Sequence, residues 1–177
     1  ISKFIDLSAF GKNLIEGILK IAIFIGYTAL TALTKDIRRT YEYHGAEHKT
    51  IACYEHEEEL TVENVKKYTR FHPRCGTSFI FLVLFISIFV NTIFRVSWAS
   101  ILLRVVIKIA LLPIVTGIAY ELIRLAGKYD NIFTKIISAP GLWIQRITTS
   151  EPDESQIECA IAALKACIPE NKEDDKW

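Results

Sequence analysis

Thr77 to Phe94 reads TSFIFLVLFISIFVNTIF, without a single charged side chain. At 1.5 Å of rise per residue, a helix of that length spans about 27 Å, close to the hydrocarbon thickness of a bilayer. A helix apolar on every face has no side to offer water, and soluble domains of this size rarely hold one. The stretch therefore predicts a membrane span. Working outward, two more segments are long enough. Leu14–Leu33 carries Glu16 and Lys20 near its start and then runs uncharged from Ile21 to Leu33. Ile101–Ile123 contains Arg104, Lys108 and Glu121, with Pro113 placed to kink it. A charge at mid-membrane costs roughly 2.5–3.5 kcal/mol on insertion scales. Arg104 and Lys108 stand one turn apart, so they share a face that is expected to avoid lipid. Glu121 and Arg124 form an expected ion pair at the end of this span.

Composition narrows the function classes. The chain has 177 residues, 51% hydrophobic, and its 21 Lys+Arg against 20 Asp+Glu leave a net charge of +1. That balance argues against a nucleic-acid partner, which calls for a basic excess on one face. Four Cys, none in a C-x-x-C pair, make no disulfide framework and suit a reducing compartment. The chain opens with Ile, has no Met and shows no signal-peptide pattern, so a shortened or processed N-terminus is expected. Lys35, Arg38 and Arg39 follow the first span, and Lys66, Lys67, Arg70 and Arg74 precede the second. Arg95 stands alone between the second and third, and Arg124, Lys128 and Lys135 follow the third. The positive-inside rule places residues 35–76 and the tail after 124 in the cytoplasm, with an upstream span expected before the N-terminal stub.

The expected organisation is an all-α integral membrane protein. It has a stub and first span over 1–34, a cytoplasmic metal-motif segment over 35–76, two spans over 77–123, and a cytoplasmic tail over 124–177. In the tail, Phe133–Ile147 is apolar but interrupted by Pro140-Gly141, which predicts a broken interfacial segment anchored by Trp143. After a turn at Thr148–Pro152, Asp153 is placed to cap an amphipathic helix. Its apolar positions are Ile157, Ala160, Ile161, Leu164 and Ile168. Cys159 and Cys167 in that helix read as small packing residues, and Glu170–Lys176 as a solvated end.

All four histidines lie between residues 44 and 72. His44-Gly45-Ala46-Glu47-His48 is an H-x-x-E-H sequence, which on a helix sets two imidazoles on one face with Glu47 nearby. This is the inverted form of the H-E-x-x-H zinc motif, with two His as ligands and Glu as general base. The alternative is a pair of surface histidines on a polar helix. A second N/S pair, His72 and Cys75, sits in Phe71-His72-Pro73-Arg74-Cys75-Gly76, where Pro and Gly shape a turn. His44, His48, His72 and Cys75 together offer what tetrahedral Zn2+ takes. Four ligands would close the site and make it structural. Three would leave a position open to water, whose pKa a metal lowers toward about 7, with Glu47 taking the proton. His56 lies in the acidic run Glu55–Glu59, read as a solvated loop, and Cys53 reads as a packing residue.

Tyr43–Thr50, Leu60–Val65, His72–Phe79 and Pro140–Thr149, followed by Glu151-Pro152-Asp153 through Leu164, resemble a known family. It is the bacterial integral-membrane family called domain of unknown function 1385, often labelled as metal-dependent enzymes. The resemblance covers most of residues 41–79 and 139–165. Members also carry an upstream Gly-rich segment with a Val-Ile-Glu-Gly-Val-Met-Met type motif, which is not in this chain. The resemblance implies a multi-pass protein of the bacterial inner membrane. Two function classes follow. One is a membrane zinc hydrolase with Glu47 as base. The other is a non-catalytic channel, transporter or regulator of membrane-protein complexes with a structural metal. Expected partners are membrane lipid, and either a second copy or another membrane protein.

Overall fold

The computed structural model describes residues 9–94, 100–129 and 131–169. Among them are seven helices and no strand: α1 (Ala9–Thr31), α2 (Lys35–Glu55), α3 (Val62–Lys66), α4 (Gly76–Ile93), α5 (Ile101–Lys128), α6 (Ile132–Thr148) and α7 (Glu154–Cys167). Three segments are long and apolar enough to cross a membrane: Phe10–Thr31, Gly76–Ile93 and Ile101–Lys128. They match the three expected spans, the last being a turn longer than its apolar run suggested. Arg95 and Glu170–Lys176 lie outside the described residues. The described residues within Ile1–Tyr27 and Arg74–Gly141 form one compact unit, and those within Thr28–Pro73 and Leu142–Trp177 form another.

The first unit holds the apolar helices. α4 packs along α5 through Ile86 and Val90 against Leu111, Val115 and Ala119. Other large apolar side chains point outward, among them Phe85 and Phe89 of α4 and Val106 and Ile109 of α5. In a bilayer such a face meets lipid, so its exposure is no defect. Several polar residues of these helices meet protein partners. Asn13 is buried and donates from Nδ2 to the Asn91 carbonyl at 3.2 Å. Lys108 reaches Glu16 at 2.5 Å, and Lys20 meets the same carboxylate oxygen at 2.8 Å. The Lys108 side of α5 thus faces protein, as expected from the cost of charge in lipid. Glu121 and Arg124 pair at 3.6 Å with both side chains exposed.

The second unit is built around Ala46, Cys53, Val65, Ile157 and Ile161, all buried. α7 lies against α2, and the short α3 closes the end of this layer. Asp153 begins α7 as anticipated: its side chain accepts the Gln156 N–H at 2.9 Å, and the Gln156 side chain returns a bond to the Asp153 N–H. Such a capping box satisfies two otherwise orphaned N–H groups. Burial pushes the Cys53 thiol above its ordinary range, which suits a packing residue rather than a reactive one.

Two expectations are corrected here. Cys159 and Cys167 are exposed, not packed. The buried stripe of α7 runs through Ile157 and Ile161; Cys159 falls on the opposite side at 100° per residue, and Cys167 is the last residue of the helix. Residues 133–147 are not broken at Pro140-Gly141 but belong to one helix, α6, that runs through them. A helix-interior proline costs about 3 kcal/mol and one backbone hydrogen bond. Here Ile144 and Gln145, both fully buried, hold the following turns in place. Gly141 also allows close packing, since a Cβ there would lie 2.6 Å from the Ser78 side chain.

Candidate metal centre

α2 carries His44 and His48 one turn apart, with ring centroids 4.3 Å from each other at 65°. A ring nitrogen of one lies within 4.8 Å of a ring nitrogen of the other. His72, in the loop after α3, brings its ring to 5.7 Å from that of His48. Three imidazoles from two separated stretches therefore meet inside the second unit. His48 and His72 are buried, and His44 is half-buried. Tetrahedral zinc holds nitrogen ligands at about 2.0–2.1 Å.

The hydrogen bonds determine which nitrogen is offered. His44 Nδ1 is 2.9 Å from the Thr148 carbonyl, and His48 Nδ1 is 2.7 Å from the Arg70 carbonyl. A carbonyl only accepts, so each Nδ1 carries the proton and the lone pair falls on Nε2. Backbone carbonyls fix metal-ligating histidines in this way, setting both tautomer and ring plane. His72 turns its other nitrogen to the protein: Nε2 lies 3.3 Å from Glu55 Oε2.

The end of α6 positions all of this. Gln145, with no exposed surface, grips the backbone of His72 twice. It accepts the His72 N–H at 2.8 Å and donates to the His72 carbonyl at 2.7 Å. Thr148 supplies the acceptor for His44. Arg70 donates to the Thr149 hydroxyl at 2.7 Å, which holds in place the carbonyl that receives His48. Glu151 bridges the buried Lys49 at 2.8 Å and Arg70 at 3.5 Å. Gln145→Leu keeps the volume but strands one N–H and one carbonyl of His72, each worth about 1–3 kcal/mol when buried and unsatisfied. Its thermal melting point is expected to drop by several degrees, whereas Leu at the exposed Arg146 should shift stability by less than about 0.5 kcal/mol.

The other sequence candidates are placed as follows. Cys75 precedes α4 in the first unit, where it is buried with Sγ 3.1 Å from the Thr77 hydroxyl. Along the chain it is three residues from His72. Glu47 is exposed on α2. His56 is exposed at the end of α2 and bonds the Ala52 carbonyl at 2.7 Å. Glu55 was missed as a site residue, having been grouped with the solvated acidic run. It lies two turns beyond His48, so 44, 48 and 55 form one stripe of α2, a signal that was there to be read. Gln145 carried no such signal, because its partner is 73 residues away.

Comparison with known proteins gives a family and no activity. Residues 1–170 match the model of a family described as "Protein of unknown function (DUF1385)". The chain is also similar to "Uncharacterized protein YqhQ" of Bacillus subtilis (strain 168), with 42% identity over 155 residues, 87% of this chain and 48% of that one. It thus spans about half the length of the curated relative it matches. No solved structure matches. With nearly the whole chain covered by the family model, the protein belongs to the DUF1385 family.

Proposed function

We propose that this is a protein of the bacterial inner membrane whose second unit holds one zinc ion through His44, His48 and His72, with Cys75 as fourth ligand. The observation that carries the reading is the fixing of Nδ1 in both His44 and His48 by backbone carbonyls. The two rings so fixed also converge with a third, His72, from a separate stretch of chain, with centroids 4.3 and 5.7 Å apart. Mixed N/S donors suit zinc. Cys75 enters on chain position, since three residues span at most about 10 Å. With four donors engaged, the centre is a staple of the fold. With three engaged, a bound zinc would supply Lewis acidity toward a water, the chemistry of a hydrolase. Glu47, exposed on the turn between His44 and His48, would then be the base.

Glu47→Gln distinguishes the two. Zinc retained with loss of a cellular phenotype supports the base. Zinc and phenotype both retained favour the staple and remove Glu47 from the chemistry.

The basic flanks favour a cytoplasmic location for residues 35–76 and for the tail after 124. Cys159 and Cys167, exposed on α7, are natural reporters. A membrane-impermeant maleimide is expected to leave them unlabelled in intact cells and to label them after permeabilisation. Labelling in intact cells would reverse the assignment.

A further inference from the structure

α6 has two working faces. Ile132, Ile136, Pro140 and Trp143 follow at helical spacing along one of them, with Phe133 at its edge. Ile132 is 76% exposed, Ile136 64% and Trp143 50%. On the other face Ile144, Gln145 and Thr148 are buried, and two of these hold His72 and His44. A stripe this apolar calls for a cover, and three observations identify it as the lipid surface. The span of α5 ends at Lys128, and α6 starts only four residues later, so the chain enters α6 where it leaves the bilayer. α6 contains no acidic residue, while Lys135 and Arg146 on it and Lys128 just before it are exposed and basic, matching anionic headgroups. Trp143 is the side chain that settles at headgroup depth.

We infer that α6 lies in the bilayer surface and that the contact at Trp143, acting through Gln145 and Thr148 on the opposite face of the same stretch of the second unit, sets the geometry of the histidine cluster. Metal affinity then depends on membrane attachment. The inference rests on the metal reading above, and its first measurement is independent of any metal.

The full chain with Trp98→Phe and Trp177→Phe keeps Trp143 as its sole tryptophan. In nanodiscs of phosphatidylcholine and phosphatidylglycerol, its fluorescence is expected to be quenched by lipids brominated high on the acyl chain, more than by lipids brominated near the chain end. Quenching by aqueous acrylamide to the level of free tryptophan would place the stripe in water. Shielding from both quenchers would mean that another protein or a second copy covers it. Either result overturns the proposal. In the same discs, Co2+ titrated into Trp143→Asp is expected to bind about tenfold more weakly than in wild type, the loss typical of a disturbed supporting shell, with Trp143→Phe unchanged. Equal affinity in all three ends the coupling and leaves the metal centre standing. A wild type that binds no Co2+ removes the metal reading and the coupling together, whatever Trp143 reports.

Discussion

Gly45→Ala is expected to destabilise the second unit by about 2–4 kcal/mol and to disperse the histidine cluster, although alanine is the better helix former. Gly45 sits inside α2, where replacing glycine by alanine ordinarily gains about 1 kcal/mol. Here a Cβ would come 2.1 Å from the Ser150 carbonyl oxygen, which is backbone and cannot rotate away. The Ser150 N–H also donates to the Tyr41 carbonyl at 2.9 Å, one turn earlier on α2. Thr148, two residues before, accepts from His44. Pushing this segment outward breaks both bonds, and the packing cost adds to them. The loss therefore exceeds the propensity gain. Thermal unfolding of the variant beside wild type checks the sign, and a more stable Gly45→Ala would mean that the segment yields easily.

The second large effect concerns the metal itself. Purified wild type is expected to carry about one zinc per chain, and His44→Ala and His48→Ala each to lose it. Both histidines hold their rings against backbone carbonyls, so alanine removes a ligand and a long-range tie at once. Structural zinc is linked to folding, and a chelator should therefore lower the melting point of wild type while leaving the two variants unaffected. His56→Ala serves as control, because His56 is exposed and its Nδ1 bonds the Ala52 carbonyl of its own helix. Metal bound equally by wild type and both variants would show that these histidines are not the ligands.

The spans were legible because burial in lipid leaves a dense local signature: no charge in Thr77–Phe94 needs no partner to interpret. His44 and His48 were legible for the same reason, since the i,i+4 relation is local. α6 was misread because Pro140-Gly141 is a local stop signal, overridden by burial of Ile144 and Gln145 that no local pattern encodes. Cys159 could have been placed from periodicity, as Ile157 and Ile161 already define the buried side of α7. Long-range ties were the part beyond reach. Gln145 on His72, Thr148 on His44 and Glu151 on Lys49 each join chain segments far apart, and spacing does not encode them. Pro140–Thr149 is also among the stretches that carry the family resemblance, and within it Gln145 ties to His72 and Thr148 to His44.

X-ray absorption at the zinc edge of the purified, zinc-loaded protein tests the central claim most directly. The expected first shell is three nitrogens at about 2.0–2.1 Å and one sulfur at about 2.3 Å, with the sulfur absent in Cys75→Ser. A shell of oxygen alone, or zinc unchanged in His44→Ala and His48→Ala, would contradict the account.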